Sequence, residues 1–150
     1  MTEIAAEPAV HPRSTFVSAT LAVVSSSVVA GLLCLGVAAL AHAAGASTDF
    51  KPLTPVIFSS FVVIGAVVGA IGWSVVRRRA QDPQRLLTIL VPTVFLLSLV
   101  PDILVGATDA LPGTSWAGVI GLMGMHLVVT VCLVAAYRVF LPVRRVGAAA

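Results

Sequence analysis

Four long apolar stretches, at residues 15–44, 54–76, 86–106 and 116–141, are separated by three short polar breaks. A hydrocarbon core about 30 Å thick is crossed by a helix of about 20 mostly apolar residues, and each stretch is long enough. The runs are continuous and lack the period-two alternation of a lipid-facing strand. Backbone groups in hydrocarbon must find partners within their own segment, so such runs are helices. Short breaks make consecutive helices antiparallel neighbours. The chain reads as an all-α membrane protein, an up-down antiparallel four-helix transmembrane bundle over residues 15–141. Residues 1–14, with Pro8 and Pro12, read as a disordered cytoplasmic tail, and residues 142–150 as a short cytoplasmic tail.

Only 10% of the 150 residues are charged, against about a quarter in soluble domains. Four spans and their connections use nearly the whole chain, so any chemistry belongs inside the bundle or at its rims. The net charge of +3 does not point to nucleic acid, because the basic residues gather at span ends instead of forming a groove.

The arginines set an orientation. Arg77, Arg78, Arg79 and Arg85 crowd the second break, Arg138, Arg144 and Arg145 close or follow span four, and Arg13 precedes span one. The other two breaks hold only Lys51. Lys/Arg-rich short loops stay in the cytoplasm, which predicts a multi-pass protein of the cell membrane with both termini cytoplasmic. Ala41-His42-Ala43 resembles a signal-peptidase site, but a signal h-region is about 7–15 residues and span one far exceeds that. Trp73 and Trp116 fall where interfacial aromatics belong, and Tyr137 and Phe140 serve the cytoplasmic end of span four.

Lipid tails are as apolar as leucine, so helices in a bilayer pair through small residues that allow close approach. Span two carries Gly65, Gly69 and Gly72 on one face, and span one carries Ser27, Gly31, Cys34 and Ala38 at helical spacing. These two faces are expected to pack together. Span four has its own stripe, Ala117, Gly118, Gly121 and Gly124, and His126 points about 140° away from Gly121 on the same helix. Two demanding faces on one helix suggest a partner, either a second copy or another membrane protein. Pro92 and Pro101 in span three free the carbonyls of Thr88 and Leu97, as a tolerated kink or as a hinge.

Ionisable groups at membrane depth are functional suspects. His126, ten residues past Trp116, comes out about 15 Å in from the outer face. Asp102, 17 residues past Arg85, comes out about 25 Å from the inner face. The two then differ in depth by about 10 Å, which argues against direct contact. Asp102 reads as an interfacial cap or an outer mouth. His126 reads as interhelical glue or a proton site. His42 sits at the outer surface. Ser98 and Ser25–Ser27 have no histidine at a catalytic spacing, so no enzyme is expected. Met123, Met125 and His126 suggest a soft-metal set, but Met125 points about 100° from His126. Cys34 and Cys132 come out at different depths, against both a metal site and a disulfide. No cofactor is expected.

Ser98-Leu99-Val100-Pro101, Met125-His126-Leu127-Val128-Val129 and the arginine loop before span three resemble a family of small four-helix membrane proteins of unknown function, known mainly from actinobacteria. The resemblance covers about residues 60–141, and Asp102 departs from its pattern. It implies an integral membrane protein and supplies no catalytic residue. The functional expectation is a non-enzymatic small subunit or accessory protein of a membrane assembly. The alternative is a proton or small-solute path through the bundle using His126 and Asp102.

Overall fold

A computed structural model describes residues 15–143. The two tails, with Arg13, Arg144 and Arg145, lie outside the described residues. The described chain is a helical bundle: α1 (Thr15–Ala43), a single 3-10 turn (Lys51–Leu53), α2 (Pro55–Arg79), α3 (Pro83–Thr108) and α4 (Trp116–Phe140). All four long helices are long and apolar enough to cross a membrane. By length and composition this is a multi-pass membrane protein.

The arginine-rich break is mostly helix. Arg77, Arg78 and Arg79 form the last turn of α2, where cations complement the helix dipole. Only residues 80–82 connect it to α3. Asp82 caps α3 by accepting from the Arg85 amide at 3.0 Å, and Pro83 opens the helix where no intrahelical donor is needed. At the other end of α3, Asp109 turns the chain in the left-handed region at φ 49°. Helix α3 runs through Pro92 and Pro101 without interruption.

Helix α1 buries Ala22, Ser26, Ala30, Cys34, Ala38 and Ala41, one residue per turn. That thin face packs most extensively against α4 and next against α2. Here the sequence expectation is corrected. The buried face of α2 is Phe58, Val62, Ala66, Ala70 and Trp73, not its glycines. A Cβ on Gly65 or Gly72 would meet nothing within 4 Å, and the same holds for Gly31 on α1. Of the residues expected on the α1 face, Cys34 and Ala38 are buried, whereas Ser27 and Gly31 lie at its margin.

Three glycines of α4 admit close neighbours. A Cβ on Gly121 would stand 2.7 Å from the Ala41 Cβ, and one on Gly124 3.5 Å from Val37 Cγ1. Gly118 faces the ring of Phe50, 2.9 Å from a Cβ built there. Phe50 lies in the first hairpin and is fully buried. The second hairpin closes over it at Gly113, where φ is +72° and a Cβ would stand 2.9 Å from the Phe50 amide nitrogen, leaving no room for a side chain. The two hairpins thus form one rim, and the arginines mark the other.

At the arginine rim, the Tyr137 hydroxyl donates to the Ala66 carbonyl at 2.5 Å, and Trp73 Nε1 donates to the Leu141 carbonyl at 2.9 Å. The two rings lie 5.6 Å apart at 51°. Both residues are buried, so they are core anchors between α2 and α4 and not the exposed belt expected of them. Gly69 makes room for the Tyr137 ring, since a Cβ there would stand 2.9 Å from its hydroxyl. Trp116, 59% exposed, fits the belt.

Candidate functional site

Asp102 is the one acidic or basic side chain that is buried among the described residues. Its Oδ2 lies 2.9 Å from His126 Nδ1 on α4. The expectation that these groups stand too far apart is therefore overturned. Depths counted from opposite rims add every error in where a span meets the boundary. From the shared hairpin, Asp102 is six residues before the end of α3 and His126 ten residues after the start of α4. At 1.5 Å per residue these are about 9 and 15 Å, a gap that two side chains span.

The imidazole is held twice. Nδ1 also lies 3.1 Å from the Leu122 carbonyl one turn back on α4. Both neighbours of Nδ1 are oxygens, which places the ring proton on that nitrogen. One proton cannot align on both. Accordingly Asp102 Oδ2 receives no aligned hydrogen bond despite the short separation. Nε2 takes no partner among the described residues. Oxygens on both sides of Nδ1 fix the orientation of the ring. No third His, Cys, Asp or Glu joins the pair among the described residues, so these side chains offer a metal two ligands at most.

Of the other polar candidates, Ser98 is one turn from Asp102 on the same face of α3. It donates to the Phe95 carbonyl at 2.7 Å and not to the carboxylate. His42 Nδ1 lies 2.7 Å from the Ala38 carbonyl at the hairpin rim. Ser27 Oγ is buried without a hydrogen-bond partner, on the far side of the pair toward the arginine rim. Cys34 is buried in the core and Cys132 packs against the same cluster, both as free thiols.

The pair is also where α3 is fastened. Residues 88–101 contain no buried side chain, and Pro83, Leu87 and Asp102 are all that α3 buries. Only 6% of its span is covered, against 22–28% for the other three helices. Beyond the pair, Gly106 lies under the Trp116 indole and Val119, with contacts of 3.1–3.3 Å to a Cβ built there. Both faces of α4 thus have neighbours within the chain. Gly118, Gly121 and Gly124 meet Phe50 and α1, and His126 meets Asp102.

Toward the arginine rim, α3 stands off from α2 and α4, leaving a cavity of about 440 Å³ lined by residues that include Trp73, Gln84, Leu87, Thr88, Val91 and Arg138. A second of about 440 Å³ lies between α1 and α2, beside Arg78 and Arg79. Neither is lined by Asp102 or His126.

The chain belongs to a family of unknown function, DUF6069, whose model matches residues 10–142. The match takes in α1 as well as the second half of the chain. No curated protein and no solved structure matches.

Proposed function

We propose that this protein is a non-enzymatic component of a membrane assembly, a small subunit or accessory protein, and that α3 is the helix it presents to its partner. The observation that supports this is the bareness of α3 between its two anchors, Leu87 and Asp102. A helix fixed at its ends, with no fully buried residue in between, can take another helix along its outer face, and membrane helices associate through such packing. The partner is a second copy or another membrane protein. The protein sits in the cell membrane with both termini cytoplasmic, a placement supported by the arginines at one rim and the lone Lys51 at the other. The actinobacterial source and the short motifs rest on resemblance alone. Crosslinking through Leu97→Cys in native membranes, followed by purification in mild detergent, tests the reading. A specific crosslinked species is expected, and a clean monomer that retains no protein contradicts it.

The second reading is a proton or small-solute path. It is favoured by the contact between two ionisable groups at membrane depth and by the unpartnered Nε2. Proteoliposomes would then carry a pH-dependent flux that His126→Ala abolishes. Flux equal to that of empty vesicles removes this reading.

A further inference from the structure

The cavity between α3 and the α2–α4 pair combines two kinds of lining. Gln84 and Thr88 on α3 and Arg138 on α4 are polar, whereas Leu87 and Val91 are apolar and run inward from the arginine rim. Gln84 and Val91 are seven residues apart, about 10 Å along the helix. Arg138 makes no ion pair among the described residues. The Thr88 hydroxyl already donates to the Gln84 carbonyl at 2.9 Å, so the guanidinium is the strong donor facing the cavity. Trp73 forms part of the wall and is fixed by its bond to the Leu141 carbonyl.

We propose that this cavity binds an anionic phospholipid from the leaflet at the arginine rim, with its phosphate on Arg138 and an acyl chain along Leu87 and Val91. The inference rests on membrane insertion and not on the partner reading of α3. Three observations favour a lipid over other occupants. The cavity lies between helices that face hydrocarbon, so a lipid reaches it sideways. Gln84 and Arg138 lie at the rim end of the cavity and Val91 and Pro92 at its inner end, the order of a headgroup and its chain. Its charge is positive, and basic pockets between membrane helices at such a rim recognise anionic headgroups. A volume of about 440 Å³ is within the usual range of ligand sites, about 300–1,000 Å³.

Trp73 reports on the site directly. In a Trp116→Phe background, Trp73 is the remaining tryptophan. The full chain is reconstituted in phosphatidylcholine bilayers containing a small fraction of chain-brominated phosphatidylglycerol or, separately, chain-brominated phosphatidylcholine. Quenching by the anionic lipid is expected to be stronger, with an apparent affinity ratio of about fivefold, the effect of one basic group at an anionic surface. Arg138→Gln should remove the preference, whereas Arg78→Gln, at the separate cavity between α1 and α2, should leave it. Circular dichroism checks that each variant keeps its helices. Equal quenching by the two lipids overturns the proposal. So does a preference that survives Arg138→Gln, or one lost equally in Arg78→Gln, which would be general enrichment around the bundle. A preference abolished by inorganic phosphate would assign the site to a free anion and overturn the lipid.

Discussion

Gly121 of α4 and Ala41 of α1 pass so close that a Cβ on the glycine would stand 2.7 Å from the alanine Cβ. No real pair of Cβ atoms sits that near, so even Gly121→Ala must push the two helices apart. Overpacking of this kind costs about 1–3 kcal/mol, and Gly121→Leu should cost more. Thermal unfolding in detergent should show both losses. Gly72→Ala is the contrast, because its Cβ would meet nothing. There the gain in helix propensity, up to about 1 kcal/mol, is unopposed and the variant should be neutral or stabilised. Equal destabilisation at the two sites would contradict the packing of α4 on α1.

The same contrast shows what the sequence does and does not carry. Four apolar runs are visible without any structure, because the bilayer imposes a length and a composition on every span. A stripe of glycines announces close approach but not with whom. Gly65, Gly69 and Gly72 form the neater motif, yet only Gly69 of the three has a neighbour, and that neighbour is Tyr137 from α4. Phe50 is a single aromatic in a polar break, so hydropathy gives no sign that Gly113 and Gly118 close around it. Asp102 and His126 were visible as suspects. Their contact was not, because helix register across a hairpin is set by how residues 109–115 turn. Counting from that hairpin instead of from the far rim would have brought them together.

The Tyr137–Ala66 bond joins α2 to α4 by side chain to backbone. The Ala66 carbonyl stays in its helix when the hydroxyl is removed, so Tyr137→Phe should cost only about 0.5–1.5 kcal/mol. Trp73→Phe removes the donor to the buried Leu141 carbonyl and some ring volume, and should cost more. Unfolding midpoints of the two variants in one detergent order them, and the reverse order would contradict the account of this rim.

Orientation is read by reporter fusions. With both termini cytoplasmic, fusions at Ala46, Gln81, Ala110 and Ala150 should report outside, inside, outside and inside. The hairpin rim, where Phe50 and Gly113 meet, then faces outward. An inside signal at Ala46 would contradict this placement.

Phe50→Ala tests the hairpin rim by itself. Removing a fully buried phenylalanine costs about 3–5 kcal/mol in a packed core. Because Phe50 contacts Gly118 of α4 from the first hairpin, the loss should appear as increased protease access to both hairpins. Cleavage confined to residues 44–54 would show that the hairpins do not depend on one another.

The most direct measurement is a double-mutant cycle on the pair that fastens α3 to α4, with Asp102→Asn, His126→Gln and the double variant unfolded in the same detergent. Polar contacts between membrane helices average about 0.6 kcal/mol and reach about 1.7. A buried carboxyl group 2.9 Å from an imidazole belongs at the upper end, so a coupling of about 1–1.7 kcal/mol is expected, with the double variant little worse than the worse single one. Additive losses, with no coupling between the two positions, would contradict the claim that Asp102 and His126 hold α3 in place.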